Sequence, residues 1–98
     1  NLNLPLPHGT QSDEWFAALE TSLQWIERRG AEAIVVSLGV DTFVDDPISQ
    51  FRLRSQDFTR LGQRLATADR PMVFVMEGGY GAEALGTNMV NVLDGFLS

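Results

Sequence analysis

The sequence contains no cysteine and a single histidine, His8, and both shortages restrict the chemistry available to it. Without cysteine, the chain forms neither disulfide bonds nor thiolate metal sites. This composition is compatible with the cytosol, and we expect a cytoplasmic protein. His8 stands between Pro7 and Gly9, a setting typical of a solvated turn.

Basic residues and long apolar runs are also scarce. Seven Lys and Arg residues stand against 13 Asp and Glu residues, which gives a net charge of −6 and argues against nucleic acid as a partner. No apolar run approaches the roughly 18 residues that span a bilayer, and the N-terminus lacks a signal-peptide pattern, so we expect no membrane partner. The 98 residues do not begin with Met, which favours an excerpt from a longer chain.

Apolar runs alternate with segments of helical periodicity. The pattern predicts strands at 2–6, 33–40 and 72–76, and helices at 11–29, 56–68 and 82–96. This β-α-β-α-β-α order predicts an α/β fold with a parallel sheet covered by helices, its strands buried on both faces. Three strands make a small sheet, so we expect further strands from sequence outside this chain.

Three residues qualify these elements. Pro5 weakens the first strand, because proline cannot donate to a β-ladder. Ser55 is predicted to cap the second helix. Gly62 lowers the helix propensity of that segment by roughly 1 kcal/mol.

Polar residues directly follow the two most apolar strands. Asp41 comes after AIVVSLGV, and Tyr80, the only tyrosine, comes after MVFVM. Sites in open parallel sheets form at the carboxyl ends of strands, so neighbouring strands would aim both residues at one crevice. A phenol hydroxyl can stabilise an oxyanion, and a carboxylate can cap a turn, bind a cation or transfer protons. Asp46, which precedes Pro47, is the better candidate for a turn.

Three motifs together resemble the C-terminal part of the zinc-dependent histone deacetylase family. They are SLGVDTF (37–43), DPIS (46–49) and EGGYG (77–81). Within the family, the sequence is most similar to the acetylpolyamine amidohydrolase branch. The resemblance implies the three-layer arginase/deacetylase-like α/β fold, with residues 1–98 as a C-terminal fragment of a single catalytic domain.

The resemblance also implies roles for individual residues. Asp41 matches a zinc-ligand aspartate, and Tyr80 matches the tyrosine that hydrogen-bonds the substrate carbonyl as it becomes an oxyanion. Ile48 falls where the family lines its substrate tunnel, and Gly78 and Gly79 match the flexible backbone that leads into the tyrosine. The implied reaction is zinc-dependent hydrolysis of an acetylated amine, a polyamine in the most similar branch, to acetate and free amine.

The family's other zinc ligands, an Asp-x-His pair, and its catalytic histidine pair have no counterpart in this sequence. One carboxylate is far below the usual three protein ligands, so we expect the isolated chain to bind zinc poorly and to be inactive. The alternatives are a deacetylase of protein lysines or other small acylamides, a relative that has lost activity, and a self-contained, non-catalytic α/β binding module. Iron or cobalt could replace zinc, and homo-oligomerisation is a further expectation.

Overall fold

A computed structural model describes every residue, Asn1–Ser98, as a helix-strand-helix-strand-helix arrangement. The elements lie close to their predicted bounds and are α1 (Ser12–Arg28), β1 (Ile34–Leu38), α2 (Ser55–Ala66), β2 (Met72–Met76) and α3 (Ala82–Leu97). None of the helices is long and apolar enough to cross a bilayer.

The two strands form one parallel sheet. Ile34 lies opposite Met72, and the register continues to Leu38 opposite Met76. Both strands are short apolar runs rich in β-branched residues, which favour pleated backbone. Because the strands are parallel, both end at the same edge of the sheet, as the sequence predicts.

Residues 2–6 form no strand, so the predicted first strand and the predicted three-stranded sheet are wrong. Pro5 and Pro7 lack backbone N–H groups, and no neighbouring strand is available for pairing. The chain just after this segment is instead held by a hydrogen bond from the Gly9 N–H to the Gln50 carbonyl, at 2.7 Å.

The helices pack against only one face of the sheet. The core on that face contains residues from all three helices, from the end of β1 and from the loop between β1 and α2. They are Phe16, Leu23, Leu38, Val40, Leu53, Phe58, Leu61, Leu65 and Val92. On the other face Val35 is 70% exposed and Val73 is 59% exposed. The prediction that the strands are buried on both faces is therefore wrong for this chain, because nothing within it covers the second face.

Helices α2 and α3 approach each other through two glycines. A Cβ atom on Gly62 would lie 2.0 Å from the Val92 carbonyl oxygen, and one on Gly95 would lie 2.1 Å from the Thr59 carbonyl oxygen. Both distances are far below van der Waals contact, so this backbone approach requires glycine at both positions.

The start of α2 differs from the prediction. Ser55 is the first helical residue, and the N-cap is Arg54. The Asp57 carboxylate, 9% exposed as a residue, accepts a hydrogen bond from the Arg54 N–H at 2.8 Å. Asp57 thus provides the polar contact at this helix end that we expected from Ser55.

Candidate active site

The loops that follow β1 and β2 stay side by side after the strands end. The Glu77 N–H donates to the Leu38 carbonyl at 3.0 Å, and the Val40 N–H donates to the Gly78 carbonyl at 2.9 Å. These two bonds extend the parallel pairing beyond the sheet. They bring Asp41, which follows Val40, next to the glycine loop.

The carboxylate of Asp41 lies in a space that two glycines leave open. A Cβ atom on Gly78 would lie 2.5 Å from its Oδ2 atom, and one on Gly39 would lie 2.7 Å from its Oδ1 atom. Any larger residue at either position would collide with the carboxylate. Asp46 and Asp57 accept backbone hydrogen bonds, whereas Asp41 accepts none within the chain. Its oxygen atoms are therefore free for an external partner.

The loop after β2 presents Tyr80 at the surface. Gly79 has φ 147°, and a Cβ atom there would lie 2.8 Å from both Leu85 Cδ1 and Val40 Cγ2. This conformation and this space both require glycine. The Tyr80 side chain that follows is 52% exposed.

A cleft of about 360 Å³ lies beside Tyr80. It is lined by Phe43, Asp45, Pro47, Tyr80, Gly81, Ala82, Glu83 and Ala84. The DPIS loop contributes Pro47 to this cleft, and the next residue, Ile48, is 67% exposed. The sequence-predicted site residues thus lie on two loops at one end of the sheet.

Asp46 joins these two loops. It does cap its own turn, as its place before Pro47 predicts, because Oδ1 accepts hydrogen bonds from Ile48 N–H at 2.8 Å and Ser49 N–H at 2.9 Å. Its Oδ2 atom, however, accepts a hydrogen bond from Tyr80 N–H at 2.8 Å. This second contact cannot be predicted from the sequence, because no local pattern links residues that are 34 positions apart.

The environment of Asp46 favours the ionised form of its carboxyl group. Burial acts to raise its pKa, but the N–H groups of Ser49, Tyr80, Ile48 and Gly81 outweigh burial and hold the pKa below its ordinary value of 3.8. The stability that these bonds contribute is therefore present above pH 3.8 and is lost as the pH falls through the lowered pKa.

The sequence matches the histone deacetylase domain over residues 1–96. The chain belongs to the histone deacetylase family. Known proteins also confirm the predicted α/β, deacetylase-like fold. A crystal structure of acetylpolyamine aminohydrolase from Burkholderia pseudomallei superposes with a TM-score of 0.94 and 38% identity, over 98% of this chain and 28% of that one.

Two bacterial members of the family are more similar in sequence. Acetylpolyamine amidohydrolase 1 of Pseudomonas aeruginosa is 52% identical over 96 residues, which are 98% of this chain and 28% of the relative. Acetylpolyamine amidohydrolase of Mycoplana ramosa is also 52% identical, over 95% of this chain and 27% of the relative. The chain thus spans little more than a quarter of the length of these histone deacetylase family members.

The residues present fit one part of the metal site that the family implies. Asp41 offers an ionisable carboxylate without an internal partner, in a space that side chains at positions 39 and 78 would fill. The chain contains no cluster of three or more His, Cys, Asp or Glu residues that could hold a metal ion. Since catalytic zinc usually has three protein ligands, this chain supplies at most a part of such a site.

Proposed function

We propose that this chain is the C-terminal part of the catalytic domain of a zinc-dependent amidohydrolase that removes acetyl groups from acetylated polyamines. The supporting observation is that the Asp41 carboxylate packs against Gly78, two residues before Tyr80, at the shared end of β1 and β2. Bacterial relatives that are 52% identical are named acetylpolyamine amidohydrolases.

Asp41 is the residue of this chain that would hold the metal. When bound, zinc would polarise the acetyl carbonyl and lower the pKa of a water molecule. The remaining ligands would come from sequence outside these 98 residues. The same applies to the group that accepts a proton from water, because His8 is exposed and is the only histidine in the chain.

Tyr80 would act on the oxygen of the acetyl group. As the oxygen of water adds to the carbonyl carbon, negative charge grows on the carbonyl oxygen, and the phenol hydroxyl donates a hydrogen bond to it. The C–N bond then breaks, the amine leaves with a proton, and acetate remains. Loss of one such donor typically lowers the rate by about 10² to 10³.

The other predicted site residues would shape the space around the reacting atoms. The exposed Ile48 side chain, on the loop beside Tyr80, would line the passage for the methylene chain of the substrate. Gly78 would leave space for the Asp41 carboxylate, and Gly79 would allow the backbone conformation that presents Tyr80. The net charge of −6 is consistent with a cationic substrate such as a polyamine, but does not require one.

The proposal is tested in the full-length protein that contains this segment. We expect it to bind zinc and to release acetate from N-acetylputrescine faster than from an acetyl-lysine peptide. Asp41→Ala should lose both zinc and activity, because it removes a ligand. Asp94→Ala, which changes an exposed aspartate of α3, should keep both and serves as the matched control.

Three outcomes would count against this function. A zinc content that is unaffected by Asp41→Ala would exclude the proposed ligand. Faster hydrolysis of the acetyl-lysine peptide would favour a protein deacetylase of the same family. Rapid turnover by the isolated 98-residue chain, supplied with zinc, would contradict the need for residues outside it. A cytoplasmic location and homo-oligomerisation stay predictions from the sequence.

A further inference from the structure

Both oxygens of the Asp46 carboxylate are used by backbone donors from two different loops. Oδ1 accepts from Ile48 and Ser49 in the DPIS loop, and Oδ2 accepts from Tyr80 in the glycine loop, at 2.8–2.9 Å. Asp46 is only 7% exposed, and it forms no salt bridge. Its negative charge is thus balanced by N–H dipoles alone. Replacing Asp46 with an uncharged residue would therefore weaken these charge-assisted hydrogen bonds.

The Tyr80 loop has little else to define its conformation. Gly79 and Gly81 flank Tyr80, and glycine restricts backbone conformation less than any other residue. Gly81 is the N-cap of α3 and provides no side-chain cap. The backbone–backbone bonds on either side are those of the Gly78 carbonyl and the Gly81 carbonyl. Between them the loop is anchored to Asp46 by the Tyr80 N–H bond at 2.8 Å, and the Gly81 N–H also acts on that carboxylate.

A carboxylate suits this position better than any uncharged side chain of the same shape. It has acceptor sites on both oxygens, whereas asparagine has one oxygen and one NH₂ donor. With asparagine at position 46, the local turn to Ile48 and Ser49 can keep the oxygen. The NH₂ group then faces the Tyr80 N–H, and two donors repel each other.

We propose that Asp46 is a positioning residue that fixes Tyr80 relative to the DPIS loop and Ile48. Through this single buried carboxylate, the loop with the oxyanion donor and the loop that lines the substrate passage are held as one unit. Asp46 itself contacts neither substrate nor metal. This proposal deepens, and for its kinetic part rests on, the proposed amidohydrolase function.

The kinetic test compares Asp46→Asn with Asp57→Asn in the full-length protein. Asp57 is an apt control, because it is also buried and accepts a backbone N–H bond at 2.8 Å, but at the start of α2. We expect Asp46→Asn to lower kcat by about 10-fold to 100-fold, since small misplacements of a reacting group have effects of this size. Asp57→Asn should leave the kcat of the folded enzyme unchanged.

A double-mutant cycle separates positioning from general damage. If Asp46 acts through the Tyr80 hydroxyl, Asp46→Asn should have little further effect on kcat in a Tyr80→Phe background. Equal fold-losses in both backgrounds would overturn the proposal. So would a folded Asp46→Asn enzyme with the kcat of the wild type.

Amide hydrogen exchange tests the same proposal without any activity. The Tyr80 amide should be protected in the wild type and should exchange at least about 10-fold faster in Asp46→Asn, because its acceptor is lost. The Arg54 amide serves as the internal reference, and its exchange should be unaffected by Asp46→Asn. Exchange at Tyr80 that is unprotected in the wild type, or unchanged in Asp46→Asn, would contradict the positioning role even if the amidohydrolase function is correct.

A second variant covers the case in which Asp46→Asn does not fold. Asp46→Ser can keep a turn through its hydroxyl but is too short to reach both loops. We expect the same loss of protection at Tyr80, with smaller changes at Ile48. If Tyr80→Phe leaves kcat unchanged, the proposed catalytic role of Tyr80 is wrong. The exchange rate of the Tyr80 amide still decides whether Asp46 holds the loop.

Discussion

Two regions of this molecule use glycine to bring groups unusually close together, but for different purposes. Between α2 and α3, Gly62 and Gly95 let one helix backbone meet the carbonyl groups of the other. At the end of the sheet, Gly39 and Gly78 leave space for the carboxylate of Asp41. The glycines of the helix pair serve contacts between two parts of the chain. The glycines at the end of the sheet surround a carboxylate that has no hydrogen-bond partner within the chain.

This contrast separates what the chain completes by itself from what it leaves open. The helix pair and its core form a scaffold that holds the loops in place. The site and the uncovered face of the sheet both remain open to groups from elsewhere, as Val35 and Val73 show by their exposure of 70% and 59%. A segment that spans 28% of the length of a bacterial relative can therefore hold Asp41 and the Tyr80 loop at one end of its sheet.

The largest effect on stability is expected from Gly62→Ala. The new methyl group would meet the Val92 carbonyl oxygen at 2.0 Å, and backbone atoms cannot move aside as side chains do. We expect a loss of about 3 kcal/mol or more in the free energy of unfolding, at the upper end of the usual cost of overpacking. Denaturant titration of the full-length protein measures it.

Gly86→Ala is the matched control for that substitution. Gly86 lies within α3, is exposed, and has no atom within 4 Å of the place where a Cβ would stand. Alanine there should be neutral or stabilising by about 0.5–1 kcal/mol, because it favours the helix. A loss of stability as large as that of Gly62→Ala would show that helix contact is not the reason for glycine at position 62.

Gly78→Ala should have a smaller effect on stability and a specific effect on metal binding. Its methyl group would lie 2.5 Å from the Asp41 Oδ2 atom and would displace the carboxylate. We expect zinc affinity to fall by roughly 10-fold to 100-fold, as for other changes that disturb a ligand without removing it. Competition with a chelator measures the affinity, and unchanged affinity in Gly78→Ala would separate Asp41 from the metal.

Local signals explain why most of the fold could be predicted. The helices and the strands Ile34–Leu38 and Met72–Met76 follow from clear periodicity and from turn residues at their ends. The strand at 2–6 failed because a strand requires a partner to pair with, and the sequence of one segment does not show whether a partner exists. The same reason applies to the uncovered face, since apolar strands look identical whether or not another layer covers them.

The position of the site could be predicted only as far as it follows from the chain topology. Parallel strands end at one edge of a sheet, so Asp41 and Tyr80 were expected to face one crevice there. The structure places Asp41 beside Gly78, but Asp41 does not line the cleft beside Tyr80, so the shared crevice stays a prediction. The bond between Asp46 and Tyr80 could not be predicted, because it depends on the orientation of one side chain toward a loop 34 residues away. Gly62 likewise indicated only a weaker helix, since its role depends on the neighbouring helix.

The most direct test of the account is the kcat of Tyr80→Phe in the zinc-loaded, full-length protein. The substitution removes one hydroxyl group and leaves Asp41, Asp46 and the backbone bond to Tyr80 in place. We predict that kcat for an acetylated polyamine falls by about 10² or more while the zinc content stays the same, because the proposed oxyanion donor is lost. A Tyr80→Phe enzyme that retains its zinc and the kcat of the wild type would contradict the account.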